Sequence, residues 1–225
     1  MQRLFDILLS AIALVFLSPL LIPIIMILKL TGEREVFFMQ ERIGKNGKPF
    51  KLFKFATMLK DSPNIGTGTV TMKSDPRILP VGKILRKTKI NELPQLLNIL
   101  FGSMSVIGPR PLTNQTFNSY STNIQDVIKK VRPGLSGIGS IIFRDEESIM
   151  DGKNASIDFY DNVIAPYKGA LEEWFVSNKG LYVYFLGILI TIWTVIFPKT
   201  KIVWMVFKNL PRPPEKLKFL LNYPN

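Results

Sequence analysis

An apolar run at the N-terminus constrains the fold more than any other feature of this sequence. Residues 1–30 are almost uninterrupted in their apolar character, and a run of that length can span a bilayer but is too long for the core of a signal peptide. Pro19 and Pro23 lie in its middle, where each proline removes a backbone donor and clashes with the preceding turn. We therefore predict a helix, a break and a second helix that enters and leaves the membrane on the same face, with the Ser18 hydroxyl as a partner for freed carbonyl groups.

A single kinked helix that crosses the membrane is the alternative, because prolines are tolerated in membrane helices. Cations flank the run on both sides, at Arg3 and at Lys29 and Arg34. The preference for positive charge on the cytoplasmic side therefore does not force a crossing.

The composition combines hydrophobicity with positive charge. The chain of 225 residues is 47% hydrophobic and carries a formal net charge of +12, a pairing that suits a protein seated on anionic lipid better than a soluble nucleic-acid binder. It contains no cysteine and no histidine, which excludes disulfides, thiolate nucleophiles, imidazole catalysis and histidine metal ligands. Any metal site must therefore be built from oxygen ligands.

Residues 91–102 are typical of a helix, since leucines recur at helical spacing along them. Asn91 is the predicted N-cap, Glu92 lies in the first turn, and Gly102 lies just past the end.

Three cations, Arg86, Lys87 and Lys89, precede this helix. The Glu92 carboxylate, these cations and unpaired backbone N–H groups are thus predicted to converge at the helix start, a combination that suits a phosphate held with a divalent metal. An amphipathic core helix with solvated basic residues before it fits the same pattern. Further along, two prolines stiffen the chain around the guanidinium of Arg110.

This stretch resembles the bacterial sugar transferases, the monotopic phosphoglycosyl transferases. The similarity rests on a long ordered set of residues within 1–145 rather than on one motif. The matching positions are Lys54-Phe55, Thr57-Met58, Asp75-Pro76-Arg77, Gly82, Leu85-Arg86, Glu92-Leu93-Pro94-Gln95-Leu96, Asn98, Gly102, Met104-Ser105, Gly108-Pro109-Arg110-Pro111 and Arg132-Pro133-Gly134-Leu135-Ser136-Gly137.

The resemblance implies an α+β fold, in which an N-terminal re-entrant membrane helix–break–helix joins a small, mainly helical catalytic domain with few short strands and amphipathic helices on the membrane surface. We accordingly divide the chain into a membrane hairpin (1–30), a catalytic domain (31–178) and apolar, membrane-associated C-terminal helices (179–225). The run 181–197 is also long enough to be considered as a second membrane span. The implied location is the cytoplasmic face of a bacterial inner (plasma) membrane.

The resemblance also implies a reaction. Family members move a sugar 1-phosphate from a nucleotide diphosphate sugar, with uridine as the natural expectation, to polyprenyl phosphate with the help of Mg²⁺. An aspartate attacks the sugar-bearing phosphate and releases the nucleoside monophosphate, and the phosphosugar then passes to the lipid carrier. This chain has Asn91 at the aspartate position and Ala56 where the family commonly has an arginine. An amide is a poor nucleophile, so the covalent step is in question.

Three explanations compete for Asn91. Glu92 serves as the nucleophile, or the chain catalyses direct transfer with Glu92 in metal and base roles, or catalysis is lost and only substrate binding remains. A laboratory substitution of aspartate would look the same, but the departure at Ala56 points to natural variation. We favour retained activity because the charged residues remain. The implied roles are catalysis at Glu92 and Asn91, Mg²⁺ binding at Glu92, and binding of substrate phosphates at Arg86, Arg110, Lys54 and Arg132.

Two functions of other classes stay open. One is a membrane-bound, non-catalytic scaffold for glycan assembly. The other is a nucleic-acid binder, which charge alone suggests and which no recognition motif supports. The expected partners are therefore the nucleotide sugar, polyprenyl phosphate and anionic membrane lipid, with a homodimer allowed and no nucleic acid.

Local patterns give further expectations. Residues 50–55 alternate like a half-buried strand, and residues 61–74 are polar and rich in turn formers, like a surface loop over the site. Residues 138–143 suit a buried strand or extended segment, the acidic run 145–147 suits a solvated surface, and residues 155–178 suit a helix.

Overall fold

The computed structural model has an α+β fold of helices and few short strands, which confirms the predicted fold class. The chain divides into two compact units. The N-terminal unit comprises Leu4–Glu41 and Lys51–Gly102, and the C-terminal unit comprises Met1–Arg3, Arg42–Phe50 and Ser103–Asn225. The structure describes residues 1–65, 75–149, 157–198, 200–207 and 209–224.

The regular elements of the described residues are helices and short strands. In chain order they are α1 (Gln2–Leu30), β1 (Phe37–Ile43), β2 (Pro49–Phe55), α2 (Pro80–Lys87), α3 (Gln95–Phe101), β3 (Ser105–Ile107), α4 (Asn114–Asn118), α5 (Thr122–Ile128), β4 (Gly134–Ser136), α6 (Ile138–Ile142), α7 (Glu146–Ile149), α8 (Ile157–Phe159), α9 (Ala165–Asn178), α10 (Leu181–Ile196), α11 (Ile202–Val206) and α12 (Glu215–Lys218). Strands β1 and β2 form one two-stranded sheet, and β3 and β4 form another.

Helix α1 is a single helix that contains both prolines. Its 29 residues would extend over about 43 Å if straight, and within the described residues it is the one helix long and apolar enough to cross a membrane. Pro19 has no N–H for the carbonyl of Val15, and the Ser18 hydroxyl donates to that oxygen at 2.7 Å. The predicted role of Ser18 is thus confirmed, whereas the predicted break is absent, because the serine bond replaces the one that the proline removes. A re-entrant course then requires a bend inside one helix, and it stays a prediction.

The C-terminal half of α1 belongs to the core of the N-terminal unit. Leu21, Ile24 and Leu28 recur on one face and pack with Phe55 of β2 and Leu85 of α2. The remaining surface of α1 is apolar and exposed, which calls for lipid or another apolar partner. Its exposed side chains include Leu4, Ile7, Leu8, Ile12, Val15, Phe16, Leu20, Ile22, Met26, Ile27 and Leu30.

Asn98 fastens α3 to strand β2. Its Oδ1 accepts a hydrogen bond from the N–H of Phe53 at 2.9 Å, and its Nδ2 donates to the carbonyl of Lys51 at 2.8 Å. The side chain is buried, and both ends of its amide are satisfied by the strand. This contact fixes the position of Lys54, the next residue along β2, relative to the turn that precedes α3.

A buried ion pair organises the segment before α2. Nε and Nη2 of Arg77 donate to the two carboxylate oxygens of Asp75 at 2.9 and 2.6 Å. Nη1 of Arg77 donates to the carbonyls of Ser62 and Ile65 at 2.6 and 2.7 Å. One guanidinium therefore joins the segment before α2 to the segment that follows β2, and this explains the need for an arginine at this position.

We expect Arg77→Lys to lower the melting temperature by several degrees, because a lysine ammonium cannot reproduce this fork of bonds to Asp75 and to the two carbonyl groups. Thermal unfolding in detergent, followed by circular dichroism, measures the shift. The matched control is Lys60→Gln, which breaks the exposed Lys60–Glu35 pair and should move the melting temperature by no more than about 2 °C. Equal shifts in the two variants would contradict the assignment.

The C-terminal unit is built around the parallel pair β3 and β4. Helix α10 approaches β3 closely at Gly187, where a Cβ atom would lie 3.1 Å from Ile107. The Ser136 and Thr191 hydroxyls lie 2.8 Å apart and join β4 to α10. The opposite face of α10 is apolar and exposed, so this helix is half packed and half open. Its exposed side chains include Tyr182, Phe185, Leu189, Ile192, Trp193, Val195 and Ile196.

Three local expectations differ from the structure. Residues 138–142 form helix α6 rather than a strand, because a short apolar run does not distinguish the two and Gly137 starts a helical turn. The acidic run is not fully solvated, since Glu146 pairs with the buried Lys168 at 2.8 Å. The helix of 155–178 contains a π-helical turn, Tyr160–Ile164. Residues 66–74 and 150–156, on which parts of the predicted loop and helix fall, lie outside the described residues.

Candidate active site

Lys54 and Glu92 form the centre of the candidate site in the N-terminal unit. Lys54 Nζ donates to Glu92 Oε1 at 3.1 Å, and the two side chains are 21% and 28% exposed. Lys54 comes from β2, where the buried residues Leu52 and Phe55 lie three apart and not in the predicted alternation. Glu92 comes from the turn before α3. A partly exposed carboxylate held by a lysine can bind or attack a substrate phosphate while its charge is balanced.

Asn91 and Glu92 lie in a 3₁₀ turn, Ile90–Glu92, rather than at the start of an α-helix. Lys89, just before the turn, has a φ angle of 59°, and Pro94 precedes the first residue of α3. The prediction of Asn91 as N-cap is therefore wrong, because the left-handed residue turns the chain before the helix begins. The predicted end at Gly102 is confirmed by its φ angle of 94°.

The Asn91 side chain is buried, whereas Glu92 is accessible. Asn91 is 7% exposed, and among the described residues its Oδ1 has no hydrogen-bond partner. A buried carbonyl oxygen without a partner costs about 1–3 kcal/mol, a cost that sites tolerate where a ligand completes them. The carboxylate that can reach a substrate at this turn is thus that of Glu92.

Arg86 lies in the last turn of α2, together with Lys87. The two cations therefore stand at the C-terminal end of one helix, where the helix dipole favours them, and not at the N-terminal start of another as predicted. Two backbone bonds connect this helix end to the site, since Lys89 N–H donates to Arg86 O and Glu92 N–H donates to Lys89 O, each at 3.1 Å. Arg86 itself is half-buried, with Nη1 3.8 Å from the sulfur of Met58.

The Glu92 turn offers oxygen ligands that suit Mg²⁺. The described residues contain no group of three or more acidic side chains that could enclose a metal ion. Mg²⁺ commonly takes only one or two protein carboxylates and completes its shell with water and substrate phosphates. The Glu92 carboxylate and the unpartnered Asn91 Oδ1 meet that modest requirement.

Arg110 and Arg132 belong to the C-terminal unit. Arg110 is exposed, Arg132 is half-buried, and the backbone segments that carry them are joined by bonds from Gly134 N–H to Pro109 O at 2.7 Å and from Gly108 N–H to Ser136 O at 2.9 Å. The N-terminal unit thus brings Lys54 and Glu92 into contact beside Asn91. Arg86 is connected to this pair through the two backbone bonds of Lys89. The C-terminal unit brings the backbones of Arg110 and Arg132 together.

Sequence reasoning missed a second charged cluster, which lies in the C-terminal unit. Lys168 and Glu172 are 3% and 2% exposed on α9. Lys168 Nζ binds both carboxylate oxygens of Glu146 at 2.8 and 2.9 Å, and Glu172 Oε1 accepts the Arg110 N–H at 3.3 Å. Lys168 and Glu172 each follow directly after an apolar residue of the predicted helix face, Tyr167 and Leu171, and this spacing could have indicated that both charged residues are buried.

Comparison with known proteins places these features in a family. The model of the bacterial sugar transferase family matches residues 1–198. The chain is 35% identical over 161 residues to the exopolysaccharide production protein ExoY of Sinorhizobium fredii (strain NBRC 101917 / NGR234), a match that covers 65% of this chain and 71% of that protein.

Longer relatives also match this chain. Two are UDP-glucose:undecaprenyl-phosphate glucose-1-phosphate transferases. The protein of Klebsiella pneumoniae is 37% identical over 163 residues, which is 70% of this chain and 34% of that protein. The protein of Escherichia coli (strain K12) is 36% identical over 162 residues, which is 71% of this chain and 35% of that protein. The match thus spans about a third of the length of these two relatives. The extent of the family match leaves no doubt about the assignment: the chain belongs to the bacterial sugar transferases.

Proposed function

We propose that this protein transfers a sugar 1-phosphate from a nucleotide diphosphate sugar, with UDP as the nucleotide, to polyprenyl phosphate. Relatives named as undecaprenyl-phosphate glucose-1-phosphate and N-acetylgalactosamine phosphotransferases support the reaction class. The observation that carries the proposal is the accessible Glu92 carboxylate, which Lys54 holds at 3.1 Å. Such a transfer would begin a membrane-linked glycan such as an exopolysaccharide.

In the proposed mechanism, Glu92 is the nucleophile. A carboxylate oxygen of Glu92 forms a bond to the sugar-bearing phosphorus, the bond to the bridging oxygen breaks, and its electron pair leaves with the nucleoside monophosphate. An oxygen of polyprenyl phosphate then attacks the same phosphorus, and the Glu92 carboxylate leaves unchanged. Lys54 balances the charge of the carboxylate, and Arg86, Arg110 and Arg132 bind phosphate oxygens.

A bound Mg²⁺ would neutralise part of the phosphate charge. Glu92 and Asn91 Oδ1 would hold it. The cations of the proposed site carry most of the phosphate recognition, because arginine presents two parallel donors to a phosphate and lysine presents a point charge.

A direct test measures the release of nucleoside monophosphate by purified protein in detergent. Release that requires a nucleotide diphosphate sugar, polyprenyl phosphate and Mg²⁺ supports the proposal, and a screen of nucleotide sugars identifies the donor. A radiolabelled sugar phosphate trapped on the protein before the acceptor is added distinguishes the covalent route from direct transfer. A protein that binds both substrates and releases nothing would overturn the proposal.

A non-catalytic scaffold for glycan assembly is the second candidate, and Asn91 is the observation that favours it. In this alternative the site keeps its cations and binds both substrates, but it lacks the aspartate that family members use. Binding without release would support the scaffold and exclude the transferase.

The proposed location is the cytoplasmic face of the membrane, with α1 inserted and both of its ends on the same side. The absence of cysteine gives a clean labelling test. We expect that a cysteine placed at the N-terminus and Glu33→Cys both resist a membrane-impermeant maleimide in intact spheroplasts and both react after lysis. Reaction of one position in intact spheroplasts would instead show that α1 crosses the membrane.

A further inference from the structure

Glu172 is a buried carboxylate that the proposed mechanism does not use. It lies on α9, in the C-terminal unit, and is 2% exposed. Its Oε1 accepts the main-chain N–H of Arg110 at 3.3 Å. Its Oε2 is buried and has no hydrogen-bond partner among the described residues. The nearby cation of Lys168 is bound to Glu146 through both carboxylate oxygens, so it does not supply that partner.

The sequence around Arg110 explains what this carboxylate does. Prolines occupy positions 109 and 111 and have no N–H, so the Arg110 N–H is the one main-chain donor of these three residues. Neighbouring backbone groups are fixed by other contacts, since Pro109 O accepts the N–H of Gly134 at 2.7 Å and Pro111 O accepts from Arg42 Nη1 at 3.1 Å. Glu172 accepts the remaining main-chain N–H, that of Arg110, whose side chain bears the guanidinium.

The fold also makes room for the carboxylate. A Cβ atom at Gly139 of α6 would lie 2.5 Å from Glu172 Oε1, so any other residue at this position would require the carboxylate to move. A charged group in an apolar interior is unfavourable, and a methionine of similar length would fill the same space without that penalty. Glutamate differs from methionine here in one respect, because it offers an oxygen that accepts the Arg110 N–H.

We propose that Glu172 is a positioning residue: by holding the Arg110 main chain it fixes the direction in which the Arg110 guanidinium meets a substrate phosphate. The inference rests on the proposed function, in which Arg110 binds phosphate. Displacement of a binding group by about 1 Å can reduce a rate about 100-fold, so the effect is measurable.

The test compares Glu172→Met, which removes the acceptor, with Glu172→Gln, which keeps one. We expect kcat/KM for nucleoside monophosphate release to fall about 100-fold in the methionine variant and by no more than about 3-fold in the glutamine variant. Glu173→Met, on the half-buried neighbouring residue, is the matched control and should retain activity. A methionine variant that is folded and as active as the wild type would overturn the proposal.

Two further measurements separate positioning from a general effect on folding. In an Arg110→Ala background, Glu172→Met should lower kcat/KM by less than about 2-fold, because the guanidinium that Glu172 positions is gone. The same loss in both backgrounds would contradict positioning. In protein labelled with ¹⁵N-arginine, the Arg110 amide, assigned through Arg110→Lys, should exchange faster with solvent in the methionine variant.

The exchange measurement does not depend on turnover. If the wild type releases no monophosphate, the proposed function fails, and the Arg110 amide still reports whether Glu172 holds the main chain. Unchanged exchange in Glu172→Met would overturn the positioning role on its own.

Discussion

Glu92→Gln should abolish the release of nucleoside monophosphate, with a rate at least about 1,000-fold below that of the wild type, because an amide is a poor nucleophile toward phosphorus. Asn91→Asp should change the rate of release by no more than about 3-fold, since Glu92 remains the nucleophile and a carboxylate oxygen can take the place of the buried amide oxygen of Asn91. Lys54→Gln should give an intermediate loss, because the Glu92 carboxylate keeps its chemistry but loses the cation at 3.1 Å. The measurement is steady-state release of monophosphate at saturating acceptor.

The control for this series is Glu41→Gln, on an exposed residue of β1, which should retain the wild-type rate. Trapping gives a second readout, since labelled sugar phosphate should accumulate on the wild type and be absent from Glu92→Gln. A rise of 100-fold or more in Asn91→Asp would point the other way. It would show that position 91 is the place of the nucleophile in an otherwise intact site and that the asparagine there has silenced it.

The sequence predicted those features of the fold that depend on local rules. The end of α3 at Gly102 follows from the ability of glycine to adopt the left-handed conformation, and the partner of the Val15 carbonyl follows from the serine that precedes Pro19. The start of α3 could not be read in the same way. It depends on Lys89 in a left-handed conformation, which few non-glycine residues adopt and which tertiary contacts must therefore hold in place.

Only some of the charged residues described above could be predicted from the sequence, for a related reason. The resemblance supplied Lys54, Asn91 and Glu92, and the structure brings Lys54 of β2 into contact with Glu92, next to Asn91 in the turn before α3. Glu172 was missed because its meaning lies in burial and in a contact to a residue 62 positions away. Neither property leaves a periodic pattern in the sequence. A contact of that range becomes visible only when α9 packs in the C-terminal unit.

A rise in pH should destabilise the wild type relative to Glu172→Gln. Desolvation by burial raises the pKa of the Glu172 carboxyl from 4.5 to about 7, and this exceeds the opposing effects of the Arg110 N–H and of the charges on Lys168 and Arg110. Between these values the folded protein keeps a proton that the unfolded chain has released, so the free energy of unfolding falls as the pH rises. The whole change is on the order of 3 kcal/mol, or roughly 6–12 °C in melting temperature.

Melting temperatures of the two proteins at pH 4.5, 6 and 8 measure this effect. The melting temperature of the glutamine variant should rise relative to that of the wild type across the series. Most of this relative rise should come between pH 4.5 and pH 7, with little beyond pH 8. The groups that face Glu172 are Arg110, Lys168 and Tyr120, and all three are present in both proteins, so the difference reports the Glu172 carboxyl together with its electrostatic coupling to them. The melting temperature of Glu173→Gln should change with pH in parallel with that of the wild type.

Parallel profiles for Glu172→Gln and the wild type would mean that water or a counter-ion reaches the carboxylate and that its ionisation carries no penalty. The expected divergence, combined with near-normal activity of the glutamine variant, would lead to a sharper conclusion. It would mean that the proposed site needs an acceptor for the Arg110 N–H and not a negative charge, because the amide oxygen of glutamine accepts the same bond. The destabilising ionisation of Glu172 would then be a consequence of using a carboxyl group as that acceptor, and a glutamine at this position would make the protein more stable at neutral pH without loss of turnover.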